Sequence, residues 1–353
     1  MATLKPTFSL IMGSLSSTTD NPVGGPRRFL VSRDMDVPAD ALRLDLSERS
    51  GISLGDEVSL ELGHEGDNEM VFSGKVVSFR PALDGVTVYG LGHMNSLLNL
   101  RTATTYEGQT PGAIARDLIG QAGLEAGTVD DGPTLPRFAI DSRLSTYAHM
   151  KSLADRLGYE LYANRDGAIM FHALGDAAGL DAAGGGLLAA AANAVSSLLG
   201  GGGEGYQFGR HLVASRLASR PAAWGSVLVG GESPMSSQGD SAAHWLTVKD
   251  TDFQGRAGSD DPQALLLDLA ARSKDLADRF AAGQLAVAQR TAKQVELTVL
   301  GRPQVDLGDS LSVSDVPDDL FNGQGYVRFI QHRFGDDWGY LTTFRVALSG
   351  EAA

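Results

Sequence analysis

Apolar and polar residues alternate with a period of two over much of the chain, the spacing of strands that bury one face. In Ala41–Leu46, Leu42, Leu44 and Leu46 fall on one side and Arg43 and Asp45 on the other. Val58, Leu60 and Leu62 repeat the pattern after a turn at Gly55-Asp56, and Val71–Phe79 and Val86–Leu91 flank an Asp84-Gly85 turn. Asp-Gly between two alternating runs is a strong hairpin signal. Together with Thr7–Met12 and Phe29–Val31, these runs predict a small antiparallel barrel or sandwich within residues 1–101.

The spacing then becomes helical. Thr110 caps and Pro111 opens a helix carrying Ile114, Ala115, Leu118, Ile119 and Ala122 on one face, and Gly123 stops it. A second helix starts near Ser145, buries Tyr147, Met150, Leu153, Ala154 and Leu157, and ends at Gly158. A hairpin follows, Tyr159–Ala163 and Ala168–Ala173, so residues 102–175 predict a small α+β domain. Residues 206–353 return to alternation at Gln294–Leu300, Ser310–Val313, Gly325–His332 and Tyr340–Leu348, predicting a second β-barrel domain. One helix is predicted inside it over 262–282. Asp261 caps it, Pro262 opens it and Gly283 closes it, with Leu266, Leu269, Ala270, Ser273, Ala277 and Phe280 facing inward.

Between the two regions lies a Gly/Ala-rich insertion, 176–205, whose glycine runs flank a short helix candidate, Leu187–Leu199. Leu187, Leu188, Ala191, Val195, Leu198 and Leu199 give that helix an apolar face. Such a helix is marginal alone in water, so it is expected to pack in a lumen or against a neighbouring subunit.

The two β regions share an ordered set of pieces. Leu54-Gly55-Asp56-Glu57-Val58-Ser59-Leu60 matches Leu307-Gly308-Asp309-Ser310-Leu311-Ser312-Val313, and Phe72-Ser73-Gly74 matches Phe321-Asn322-Gly323. Each set closes on an acidic Gly turn and an alternating strand, Val86–Leu91 or Thr342–Leu348. The order predicts two similar antiparallel barrels in a fold that is mainly β. Alignment should pair Gly55 with Gly308 and Phe72 with Phe321.

Composition narrows the chemistry. The 353 residues include no cysteine, which removes thiolate catalysis and Cys-based metal sites. Lys+Arg number 29 against 43 Asp+Glu, a formal charge of −14, so nucleic-acid binding is not expected as the main role. An acidic lining of any channel is the corresponding expectation. The longest apolar stretch, Leu187–Leu199, is short of the roughly twenty residues of a membrane span, and the N-terminal apolar run is too short for a signal-peptide core. Folding and assembly are expected in the cytoplasm.

None of the seven histidines stands at HxH or HExxH spacing. There is no GxxxxGK[ST] or GxSxG motif, and Gly90-Leu91-Gly92 lacks the third glycine of a dinucleotide loop. The carboxylate pairs Asp130-Asp131, Asp260-Asp261, Asp318-Asp319 and Asp336-Asp337 fall in turns or at a helix start, where capping accounts for them. No catalytic, metal or cofactor site is expected.

The pieces Leu54–Leu62 with Phe72–Phe79, Val86–Leu100, Thr105–Leu124, Leu153–Phe171 and Leu300–Leu348, in this order, resemble the late-control protein D / contractile-tail hub family. That family serves the baseplates of contractile phages, pyocins and contractile injection systems. The resemblance spans roughly residues 40–175 and 260–350. It implies a structural homotrimer with two barrels per chain, a pseudo-sixfold ring that adapts a hexameric inner tube protein to a trimeric spike among other baseplate components. Because no spike-like repeat follows the second barrel, the spike is expected to be a separate protein. A cell-wall-degrading or carbohydrate-binding tail-tip module and a monomeric cargo adaptor are the alternative readings.

Overall fold

The alternating segments become strands and the capped segments become helices. The computed structural model describes residues 5–48, 51–174, 204–219, 221–231, 254–290, 292–337 and 339–348. The first region contains β1 (Pro6–Met12), β2 (Leu15–Thr18), β3 (Pro26–Asp34), β4 (Ala41–Leu46), β5 (Glu57–His64), β6 (Asp67–Ala82) and β7 (Gly85–Gly92). The middle contains α1 (Asn95–Asn99), β8 (Thr104–Gln109), α2 (Pro111–Gln121), β9 (Ala126–Val129), β10 (Leu135–Ile140), α3 (Thr146–Leu157), β11 (Tyr159–Ala163) and β12 (Ile169–Ala173). Then come β13 (Glu204–Gln207), β14 (Leu212–Ser219), β15 (Ser226–Gly231), β16 (Gln254–Gly258), β17 (Gln263–Asp268) and α4 (Lys274–Gln289). The last strands are β18 (Lys293–Leu300), β19 (Ser310–Ser314), β20 (Gly323–Gly335) and β21 (Gly339–Leu348).

One sheet of thirteen strands runs through both β regions, in the order β14-β18-β21-β20-β3-β4-β7-β6-β5-β1-β2, with β19 on β20 and β13 on β19. It curls into two barrel-like units, each with its own core. Leu10, Leu42, Leu44, Leu60 and Val88 fill the first; Val295, Leu297, Val313, Ile330 and Phe344 fill the second. The fold is thus mainly β with an α+β part, as the alternation implied. The third core gathers α2, α3 and the β9/β11/β12 sheet with β15, β17 and α4, so these last three elements pack on the α+β layer.

The helix expected over 262–282 begins later. Gln263–Asp268 is strand β17, parallel to β15, and α4 starts at Lys274 with Ser273 Oγ accepting the Leu276 N–H at 3.3 Å. The run Leu265-Leu266-Leu267 carries no periodicity that separates strand from helix. Gly283 does not close the helix but lies inside it. A Cβ there would stand 2.3 Å from the Arg156 carbonyl, so glycine is what lets α4 approach the end of α3.

The repeat holds bond by bond. The order β3, β4, β7, β6, β5, β1 in the first unit is that of β14, β18, β21, β20, β19, β13 in the second. Gly55 N–H donates to the Val76 carbonyl at 2.8 Å and Val76 N–H to that of Asp56 at 2.9 Å. Gly308, Val327 and Asp309 reproduce this at 2.8 and 2.9 Å. Asp56 Oδ2 accepts the Ser53 N–H at 2.8 Å, and Asp309 Oδ2 the Asp306 N–H at 2.7 Å. The bulges coincide as well: Val77 in β6 with Arg328 in β20, and Arg27 in β3 with Val213 in β14. The outermost strands differ, since β1 runs antiparallel to β5 whereas β13 runs parallel to β19.

The expected pairing of Gly55 with Gly308 is therefore met, and that of Phe72 with Phe321 is not. Val58 faces Gly74 and its counterpart Leu311 faces Gly325, so Phe72 corresponds to Gly323. Phe321 lies two residues earlier, in the 3-10 turn Asp319–Phe321. A slip of two preserves the face of every side chain, which is why alternation does not reveal it. The glycine that matters is fixed by space. A Cβ on Gly74 would meet the Leu91 carbonyl oxygen at 2.2 Å, and one on Gly325 that of Ala347 at 2.0 Å.

The two equivalent turns allow a matched test. Gly55 and Gly308 have φ of 85° and 88°, where a side chain costs about 1–2 kcal/mol. A Cβ on Gly55 meets nothing within 4 Å, whereas one on Gly308 lies 2.5 Å from the Tyr162 hydroxyl. In chemical denaturation Gly55→Ala should lose only the backbone term, and Gly308→Ala clearly more. Equal losses would show that Tyr162 does not constrain the second turn.

Candidate functional site: the joint between the barrel units

Strand β20 is long enough to serve two partners on one edge. Gly323–Tyr326 pairs with β19 of its own unit, and Phe329–Gly335 pairs antiparallel with Arg28–Asp34 of β3 in the other. Its opposite edge follows β21 throughout. Under this joint Phe334 packs against Phe8 and Phe29 with ring centroids 5.6 and 5.4 Å apart, and Phe8 and Phe29 are 4.9 Å apart. The joint is thus a shared ladder with an aromatic cluster beneath it.

Two buried arginines tie the joint to the α+β layer. Arg33 shares the core parity of Phe29 and Val31. It donates to Asp40 at 3.1 Å, to Asp306 at 2.5 Å and to the Ala163 carbonyl at 2.8 Å. Burial alone would lower its pKa, but Asp40 and Asp306 outweigh that and raise it. Burial pushes the Asp40 carboxyl up in spite of Arg33. Asp306 overcomes its own burial through Arg33 and the N–H groups of Arg165 and Leu307, and is held below the usual carboxylate range. Arg328, at the β20 bulge, donates to Glu160 of β11, to the Tyr326 hydroxyl at 3.1 Å and to Asp36 at 2.7 Å. Arg290 reaches the same Glu160 at 3.0 Å and Asp155 at 3.3 Å. Both barrel units and the α+β layer meet at these groups.

The face of the sheet opposite the cores is polar and runs in continuous rows. One row reads Arg216, Glu296, Arg345, Phe329, Asp34 across β14, β18, β21, β20 and β3. Another reads Ala214, Thr298, Thr343, Gln331, Ser32, Ala41, Leu91, Lys75 and Glu57, from β14 across to β5. Hydrogen bonds knit them: Thr298 to Thr343 at 3.0 Å, Gln331 to Ser32 at 3.2 Å and Thr87 to Asp45 at 2.7 Å. On this face seven basic groups, Arg28, Arg43, Lys75, Arg80, Arg216, Arg333 and Arg345, are mixed with five carboxylates, Asp34, Asp45, Glu57, Glu61 and Glu296.

The six residues read from sequence as an apolar helix face, Leu187, Leu188, Ala191, Val195, Leu198 and Leu199, lie outside the described residues. The carboxylate pairs serve local structure where they are described. Asp130 Oδ2 accepts the Ala173 N–H at 3.0 Å, Asp131 pairs with Arg116 at 2.6 Å, and Asp337 pairs with Arg28. Among the described residues no group of three or more His, Asp or Glu could hold a metal ion, and no described helix is long and apolar enough to cross a membrane. The joint itself was not singled out from sequence. Arg33 at a core-parity position of an alternating strand was a readable signal. Arg328 was not, because the bulge displaces it from the alternation.

No family model and no curated protein matches the sequence. Solved structures do match along the whole chain. The 43 kDa tail protein of prophage MuSo2 from Shewanella oneidensis is 14% identical, with 97% of this chain and 98% of that one covered at a TM-score of 0.66. The tail protein of Neisseria meningitidis MC58 is 13% identical, with 98% and 97% covered at 0.68. An E. coli protein described as a component of the type VI secretion system, with structural similarity to phage T4 tail proteins, is 11% identical, with 97% and 77% covered at 0.58. The chain has the fold of these tail and secretion-system proteins, in line with the sequence resemblance.

His332 offers a pH probe of the joint. It sits in β20 opposite Val31, almost fully buried, with Nδ1 3.0 Å from the Tyr340 hydroxyl and 3.2 Å from Thr342 Oγ1. Burial first, then the nearby Arg33, depress its pKa from 6.5 to about 3. The unfolded chain therefore takes up a proton that the native one refuses. Stability from this group is complete above about pH 6.5 and falls as pH drops toward 3, by up to about 1.4 kcal/mol per pH unit. Denaturant titrations at stepped pH should show a steeper acid loss for the wild type than for His332→Gln. Parallel curves would place the acid sensitivity elsewhere.

Proposed function

We propose that this chain is a structural hub subunit of a contractile tail or injection particle. Three copies form a ring of six barrel units that joins a hexameric inner tube protein to a trimeric spike, beside other baseplate components. The observation that carries the reading is the residue-level repeat joined edge to edge by β20 and β3. A chain with two equivalent units is a physical means for a threefold object to meet a sixfold one, because each copy presents two similar surfaces. The tail-protein fold along nearly the whole chain supports the same reading. On it, the polar sheet face lines the ring, and assembly takes place in the cytoplasm. No catalytic group is needed: the work is adaptation of symmetry.

The test is assembly. Mass photometry of the purified chain, alone and with candidate spike and tube proteins of the same particle, should show three copies per complex. The complex should retain spike chains at one copy per hub chain. A persistent monomer that captures neither partner would reject the hub.

A further inference from the structure

The joint inside the chain serves as a template for a joint between chains. On β20, the residues that follow the bulge pair with β3. On β6, the equivalent residues have no strand partner on that flank among the described residues. Likewise β3 is covered on both flanks, whereas its counterpart β14 pairs only with β18 among the described residues. Among the described residues each chain therefore carries one open copy of each half of a joint that it also holds closed. Open strand edges are a liability that folded proteins cover or pair.

The repeat fixes the register. Ser78 faces Tyr89 directly after the β6 bulge, as Phe329 faces Arg345 after the β20 bulge, so Arg80 corresponds to Gln331 and Leu83 to Phe334. Ala218 faces Gln294 as Ser32 faces Ala41, so Ala218 corresponds to Ser32 and Ser215 to Phe29. Within the chain Gln331 faces Ser32, His332 faces Val31, Arg333 faces Leu30 and Phe334 faces Phe29.

We propose that Arg80–Leu83 of one copy pairs antiparallel with Ser215–Ala218 of the next, setting Arg80 opposite Ala218, Pro81 opposite Leu217, Ala82 opposite Arg216 and Leu83 opposite Ser215. The partner is a second copy of this chain, and the proposal rests on the ring reading above. Leu83 is fully exposed in the single chain. At the counterpart of Phe334, it would pass beneath the new ladder. Pro81 marks the stretch as an edge in the isolated chain and withholds at most one N–H from the joint. The pairing carries the polar rows from one copy to the next without a break.

The absence of cysteine makes the register directly testable. Paired cysteines trap neighbouring strands only when their Cα atoms lie within about 7 Å. The full chain bearing Arg80→Cys with Ala218→Cys, or Ala82→Cys with Arg216→Cys, is oxidised under assembly conditions and run without reductant. Arg80→Cys with Ala214→Cys, displaced by about 13 Å along the strand, is the control. In-register pairs should shift the band from one chain to covalent dimers and trimers, and the control should stay at one chain. If mass photometry shows a trimer but the in-register pairs trap no better than the control, the register is wrong while the ring survives. If the chain stays monomeric with both edges protected from amide exchange, its own remaining segments cover them, and the proposal and the ring fall together.

Discussion

Strand β20 is paired along both edges, and the rest of the architecture depends on it. Its first residues complete the second barrel unit and its last residues close onto β3 of the first. Because side chains alternate, a slip of one residue at this joint would turn Phe29, Val31, Ile330 and His332 out of the core. The register of the joint therefore sets the register of every polar row that crosses it. The bulge at Arg328 lies where β20 passes from β19 to β3, the position at which a strand has to bend to change partners.

The buried charges follow from the same place. Where two curved units and a helical layer converge, Arg33 and Arg328 lie almost wholly out of water. Each is held by carboxylates from more than one part of the chain: Asp40 and Asp306 for Arg33, Glu160 and Asp36 for Arg328. Removing one member of such a pair strands a buried charge at about 3–5 kcal/mol, whereas the intact pair contributes little beyond a well-packed apolar replacement. The consequence is orientational. A docking of the α+β layer that missed Glu160 on Arg328 or Ala163 on Arg33 would leave both guanidiniums short of partners. The overall charge of the chain is a poor guide to this, because the junction matches buried arginines with carboxylates one against another while both signs are mixed on the polar sheet face.

Much of the fold was legible because local rules and packing agree. Ala41–Leu46 alternates in sequence and in burial, and Thr110 and Ser145 cap their helices with side-chain hydrogen bonds of 3.2 Å each. The Gly-Asp turns were readable because each needs a residue at positive φ. What stayed hidden depends on contacts distant in sequence. Leu265–Leu267 is strand because β15 lies beside it, and Gly283 is helical because α3 passes close by. The join of Phe329–Gly335 to Arg28–Asp34 spans nearly the whole chain and leaves no periodic trace. The candidate joint was legible only in part. Its repeat could be seen, but the true partner of Gly74 is Gly325, and only the steric demand of the neighbouring carbonyl distinguishes it from Gly323.

Fusing two barrel units in one chain changes the energetics of a ring built from them. A joint made within the chain loses no translational or rotational freedom, so half of the joints in such a ring form on folding and only the rest on association. The two kinds are then free to diverge. The internal joint has Phe334, Phe29 and Phe8 beneath it and Arg33 beside it. The counterpart positions at the open edges hold Leu83 and Ser215, a far smaller apolar contact. On the proposed pairing, the internal joint would be the stronger of the two kinds and the joints between copies the weaker. Divergence is also permitted at the outer strands, where β1 and β13 run in opposite senses relative to their neighbours. Six similar inner ladders with two alternating kinds of outer strand would present sixfold regularity on one surface and threefold regularity on another, which is the property an adaptor between the two symmetries requires.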